Sequence, residues 1–201
     1  MHWNSLVTVL DLLATFAFAV VGARVASSRN MDYGGITLIA AISSLSGGTL
    51  RNLFLHAQLP WLLDPWLFAA VFLAVVITIV MKKSGPVGRF FLALDTLGLA
   101  IAVVSSTSFA ISMRVNFVST VVLGLVGAVT GSLLRDILCQ VEPVLLHRET
   151  IGTSCVAGAL VYAALYSQNV GTAGCVVASG MTVVLVRELS IKFNWNLPKI
   201  K

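Results

Sequence analysis

Charged residues are sparse along this chain, and where polar residues gather they separate seven apolar runs, at 5–26, 33–56, 66–81, 90–111, 116–139, 151–166 and 170–186. Runs of roughly 17 to 25 predominantly apolar residues cross a bilayer as helices, and the alternating ten-residue segments of a barrel are absent. The pattern predicts an all-α integral membrane protein with seven transmembrane helices. Between the runs stand residues that end helices. Pro60 and Pro65 interrupt the chain after the second run, because proline cannot continue a helix and restrains the residue before it. The stretch 82–89, Lys-Lys-Ser-Gly-Pro-Val-Gly-Arg, is basic and rich in turn formers, and it reads as the linker between two halves. The first run carries an Ala17-Phe18-Ala19 sequence, but no lysine or arginine precedes it and it is long, so it is expected to be a retained helix rather than a secretory signal.

The halves read as copies. Asp11 and Asp95 lie 84 positions apart (95 − 11 = 84), and so do Arg51 and Arg135 (135 − 51 = 84). The same shift pairs Gly47 with Gly131 and Leu50 with Leu134. A matched acid, glycine and arginine inside apolar runs point to duplication, since intramembrane charge is costly. The chain is expected to form a single membrane domain over 1–201. The first repeat covers 5–81, the second 90–166, and a seventh span follows at 170–186. Each repeat holds three spans, an odd number, so the second enters the membrane from the opposite face as an inverted repeat.

Composition agrees, with 58% hydrophobic and 10% charged residues and a mean hydropathy of +0.96, against about 25% charged in soluble domains. The net charge of +5 is spread over connecting segments, with no basic patch interleaved with aromatics, so nucleic acid is not an expected partner. With the N-terminus outside, the inner side holds Arg24, Arg29, Lys82, Lys83, Arg89, Arg148, Arg187, Lys192, Lys199 and Lys201, and the outer loops hold Arg114. The positive-inside rule therefore predicts an outside N-terminus and a cytoplasmic C-terminus for a multi-pass protein of the cell (inner) membrane.

Candidate chemistry concentrates in two motifs, Ser46-Gly47-Gly48-Thr49-Leu50-Arg51-Asn52 and Thr130-Gly131-Ser132-Leu133-Leu134-Arg135-Asp136. A buried arginine needs a partner or water, so Asp11 is expected to compensate Arg51 in the outer half, and Asp95 to compensate Arg135 in the inner half. Asp136 matches the uncharged Asn52, which leaves one uncompensated negative charge in the inner half and favours cations there. Gly47-Gly48, and less strongly Gly131-Ser132, lower helix propensity and mark sites of kinks. A break at both motifs would place half-helix ends around one cavity, with hydroxyls and carbonyls available to an ion. The glycines admit a second reading as close-packing surfaces, because Gly124, Gly127 and Gly131 share one helix face.

Other residues carry less. Cys139, Cys155 and Cys175 lie in apolar spans without CxxC spacing and read as small buried hydrophobes. His2, His56 and His147 are isolated near span ends and form no metal-binding pattern. Trp3, Trp61, Trp66 and Trp195 sit near predicted membrane boundaries. No phosphate-binding loop, nucleophile elbow or catalytic carboxylate pair is present, so neither hydrolysis nor ATP-driven pumping is expected, and no cofactor or metal is implied.

An aspartate in the first span, then Gly-Gly-Thr-Leu-Arg-Asn, then Asp95 and Gly-Ser-Leu-Leu-Arg-Asp, in a seven-span chain of this length, resembles the prokaryotic branch of the trimeric intracellular cation (TRIC) channel family. The family pattern is closer to Gly-Gly-Gly, Thr or Val, then Leu-Arg-Asp in both copies; this chain differs at Ser46, Asn52, Thr130 and Ser132. The resemblance implies a homotrimer in contact with membrane lipids. It also implies a pore in each protomer lined by the first two helices of each repeat, with the second and fifth spans kinked, and passage of monovalent cations, chiefly potassium. Some bacterial relatives resemble small amino-acid transporters, which leaves a glycine carrier working by alternating access as the alternative.

Overall fold

The computed structural model describes residues 2–81, 88–141 and 150–193, with the side chains of 2–5 and 150 excepted. Most of the 82–89 linker, the loop with His147 and Arg148, and the tail beyond Phe193 lie outside the described residues. Eight helices are found among those described. They are α1 (His2–Ser28), α2 (Tyr33–Phe54), α3 (Pro60–Leu63), α4 (Trp66–Val80), α5 (Arg89–Ser112), α6 (Phe117–Leu138), α7 (Thr150–Ser167) and α8 (Thr172–Phe193). Five of these, α1, α2, α5, α6 and α8, are long and apolar enough to cross a membrane, while α4 and α7 are shorter apolar helices. At 1.5 Å per residue the 15 residues of α4 span about 22 Å, less than a hydrocarbon core of about 30 Å. The last helix runs seven residues past the expected end at 186, because its inward face continues: Cys175, Ser179, Val183 and Arg187 are spaced by four and all buried.

Helix ends repeat with the same spacing as the motifs. Asp32 caps α2 by accepting from the Gly35 amide, and Asn116, 84 residues later, caps α6 by accepting from the Ser119 amide. Such caps satisfy amides that the helix cannot pair itself. At the other ends, Asn30 and Arg114 both take φ 56°, and His56 and Gln140 take φ 50° and 49°. Left-handed residues usually close helices as glycine, so these non-glycine closures give no signal in the sequence. Each is held by an amide reaching back five residues: Met31 to Ala26, Val115 to Ala110, Ala57 to Asn52 and Val141 to Asp136.

The core is a bundle in which α1 packs on α2, α4 and α5, α2 packs on α6, and α5 packs on α6, α7 and α8. Asp11 is level with Ser105, and Phe18 is level with Gly98, so α1 and α5 run antiparallel. Gly47 abuts Gly127 and Gly131 abuts Ser43, so α2 and α6 are antiparallel as well. Both contacts are the same contact with the halves exchanged, since 43 and 47 become 127 and 131 on adding 84.

Neither motif breaks its helix. The α2 and α6 spirals continue unbroken through Gly47-Gly48 and Gly131-Ser132, which corrects the expectation of half-helix ends. Instead, the missing side chains let two backbones touch, because a Cβ on Gly47 would strike the Gly127 carbonyl and one on Gly131 would strike the Ser43 carbonyl. Gly124 and Gly127 similarly make room for Thr107 and Ser106 of α5. Close approach through small residues is a common way for helices to associate where lipid removes the hydrophobic drive. Cys139, Cys155 and Cys175 are free, buried thiols.

Candidate functional site

Arg51 lies in the last turn of α2, where the negative end of the helix dipole favours a cation. Its Nη2 donates to Asp11 Oδ2 at 2.9 Å and its Nη1 to Asp11 Oδ1 at 3.2 Å, a two-point fork on one carboxylate. Nη1 also donates to Ser105 Oγ at 3.1 Å, and Nε to Asn52 Oδ1 at 2.8 Å. The guanidinium lies over the Phe109 ring, 4.6 Å from its centroid. Ser105 in turn donates to Asp11. Arg51 is 1% exposed, so these contacts replace water entirely. Asn52 spends its amide on the Gln58 carbonyl at 2.6 Å, which ties the segment after α2 back to the cluster.

The second cluster keeps the same internal bond and changes the rest. Arg135 donates from Nε to Asp136 Oδ1 at 2.8 Å, as Arg51 does to Asn52, and from Nη1 to Asp95 Oδ1 at 3.0 Å. Asp95 then receives Arg187 of α8, whose Nη2 donates to Oδ2 at 2.9 Å. The expected surplus of negative charge is corrected among the described residues, where Arg187 joins Arg135 on Asp95. Arg187 and Arg24, both counted above among the inner-side charges, are buried on helices; Arg24 stands 5.5 Å over the Phe91 ring.

The remaining motif residues divide by role. Thr49 and Thr130 turn their hydroxyls back to Leu45 and Val126 carbonyls, and Ser132 to Val129. Ser46 Oγ has no hydrogen-bond partner among the described residues. Gly48 faces Pro60. Trp61, read as a boundary residue, is half-buried and donates its indole N–H to Thr49 Oγ1 at 3.0 Å.

Two cavities adjoin the Arg51–Asp11 pair. One, of ≈ 340 Å³, is lined by Asp11, Arg51, Asn52, Gln58, Asp64 and Phe109 among others. A narrow one of ≈ 30 Å³ is lined by Ser43, Ser44, Gly47, Ser106, Gly127 and Gly131 among others. Both touch Asp11, Arg51, Pro60 and Leu67, so the ion pair borders each. Along α1, Asp11 and the level of Asp95, near residue 21, are separated by about 15 Å of helix rise. Ser105, Phe109 and Arg187 were not singled out from sequence. The signals available were the hydroxyl run Ser105-Ser106-Thr107-Ser108 and the four-residue spacing that ends on Arg187.

These features define a multi-pass helical membrane protein with charges paired inside one bundle. A family model described as Glycine transporter matches the chain twice, over residues 8–83 and 92–167, again 84 positions apart (92 − 8 = 84). The Escherichia coli K12 UPF0126 inner membrane protein YadS is 28% identical over 197 residues, covering 96% of this chain and 95% of YadS. The solved TRIC trimeric intracellular cation channel orthologue from Rhodobacter sphaeroides is similar at TM-score 0.86 and 28% identity, over 94% of this chain and 98% of that one. A TRIC structure described for cation conductance is similar at TM-score 0.83 and 29% identity, over 96% of each chain. The chain belongs to this family, the prokaryotic branch of the TRIC channels.

Proposed function

We propose that this protein conducts monovalent cations passively, with potassium preferred, through a path inside each protomer of a homotrimer. The path runs between α1, α2, α5 and α6. The observation that carries this reading is that the Arg51–Asp11 pair lines both a roomy cavity and a narrow one to which Ser43, Ser44 and Ser106 contribute. Hydroxyls and carbonyls can replace part of a cation's hydration, and paired charges leave no deep electrostatic trap or barrier. Widening the narrow cavity is the step that would admit an ion. The motif residues Ser46 to Asn52 and Thr130 to Asp136 border or support this path. Kinship with proteins described as cation channels supports the same reading.

The repeats are read as inverted in the membrane, which the antiparallel pairing of α1 with α5 and of α2 with α6 supports. With Arg24 and Arg187 withdrawn into the bundle, eight basic residues remain for the inner side against Arg114 outside, which supports an outside N-terminus. The outward apolar side chains of α4, among them Trp66, Phe72 and Val80, suit contact with lipid or a neighbouring protomer.

Purified protein in a planar bilayer should give discrete current steps that reverse near the potassium equilibrium potential. Counterflow of labelled glycine without current would overturn this reading in favour of a carrier.

A further inference from the structure

The roomy cavity beside Arg51 and Asp11 meets the surface at Thr8, Gln58 and Leu63, all of them exposed. Near it α1 begins and α2 ends, so it lies at the end of the bundle read above as outer. Asp11, Arg51 and Asp64 are the charged residues among those that line it. Asp11 and Arg51 offset each other, because the guanidinium forks onto that carboxylate at 2.9 and 3.2 Å. Asp64 has no such counter-charge: it forms no ion pair among the described residues. Its side chain accepts one hydrogen bond, from the Trp66 amide to Oδ1 at 3.0 Å, and an amide leaves the charge uncancelled. The backbone holds the residue in place between α3 and α4, with its own amide on the Pro60 carbonyl at 3.0 Å and the Leu67 amide on its carbonyl at 3.3 Å. Among the described residues the cavity wall thus carries one net negative charge, and Asp64 supplies it.

We propose that Asp64 draws cations into this opening and so concentrates them in front of the Arg51–Asp11 pair. A charge on the wall of a recess with low-dielectric sides has its field focused there, which raises the local concentration of counter-ions. One carboxylate attracts an ion without enclosing it, and conduction requires that an ion be able to leave. Attraction of this kind is screened by salt, over about 30 Å at 0.01 M and about 3 Å at 1 M. The effect on current rests on the channel reading above, whereas the attraction itself does not.

The test compares the parent with Asp64→Asn and Asp64→Lys. Asparagine removes the charge and keeps an oxygen that can accept from the Trp66 amide, so Asp64→Asn separates charge from helix capping. In planar bilayers, Asp64→Asn should lower the potassium current entering from the cavity side about two- to three-fold at 0.01 M salt and leave it nearly unchanged at 1 M, and Asp64→Lys should lower it further. An Asp64→Asn current equal to the parent's at low salt would overturn the proposal, as would the same loss at both salt concentrations. A second measurement needs no current. Ala57 and Leu63 also line the cavity, and a cysteine at either position reports the local potential through its reaction with methanethiosulfonates of opposite charge. The cationic-to-anionic rate ratio at Ala57→Cys, and independently at Leu63→Cys, should fall several-fold when Asp64→Asn is added at low salt, and should fall below that value with Asp64→Lys. A ratio that does not move would refute the role of Asp64. If the parent protein passes no current, the channel reading fails by itself, and the labelling ratio still decides whether Asp64 attracts cations.

Discussion

A side chain on Gly47 would collide with the carbonyl of Gly127, and one on Gly131 would collide with the carbonyl of Ser43, which is the same contact seen from the other half of the molecule. The two glycines thus hold the α2–α6 crossing together from both sides. Gly180 of α8 has nothing within 4 Å of where its Cβ would stand. Gly47→Ala should therefore destabilise the protein by about 1–3 kcal/mol, since backbone atoms cannot step aside as a side chain can. Gly180→Ala should be neutral or stabilise by about 0.5–1 kcal/mol through helix propensity. Melting of the two variants in one detergent checks the contrast, and equal losses would remove the packing role assigned to Gly47.

Removing one member of the outer ion pair should cost more than removing both. Arg51→Leu leaves Asp11 facing Ser105 without its cation, and a broken buried pair typically costs about 3–5 kcal/mol. Asp11 keeps 17% side-chain exposure, so water can soften the loss. Arg51→Leu should also change conduction, whereas Asp11→Asn in the same protein should restore part of the stability. Unchanged current in Arg51→Leu would reduce the pair to a structural staple.

The two motif ends should not be interchangeable. Asn52→Asp copies the second motif, but the Asn52 amide donates to the Gln58 carbonyl, and a carboxylate there would face that carbonyl without a hydrogen. No additional arginine is joined to the first cluster by a described ion pair. A loss of about 1–3 kcal/mol is expected, read as a lower melting temperature. A variant as stable as the parent would mean that Gln58 is free to move away.

Orientation is testable with single cysteines. Asn169→Cys, in the turn between α7 and α8, should react with a membrane-impermeant maleimide added outside intact cells, whereas Arg29→Cys should react after the inner face is opened. The three native cysteines are buried, so background labelling should be low. The reverse pattern would invert the assigned topology.

Much of the architecture was legible in the chain. The apolar runs located all seven of the longer helices within a few residues at most ends, because a bilayer demands continuous internal hydrogen bonding and a minimum apolar length. The 84-residue offset brought out the charge pairing, since charges in a membrane need partners. What failed were inferences from local propensity. Gly47-Gly48 implied a break, yet a helix in apolar surroundings has no water to satisfy freed backbone groups, and contact with a second helix rewards the bare backbone. Trp61, read as a boundary residue, also donates its N–H to Thr49, a contact that no local pattern announces.

The sequence by itself pointed to a helical membrane protein, to a doubled motif, and to Asp11, Arg51, Asp95 and Arg135 as intramembrane charges in need of partners. Hydropathy and spacing carry that information along one dimension. Only the tertiary structure decided how the charges are shared. Arg187 stands 92 positions from Asp95 and belongs to neither repeat, so no periodicity links them. Helix packing alone brings α8 against α5, and electrostatics in a dry interior then joins Arg187 to the cluster that also holds Asp136.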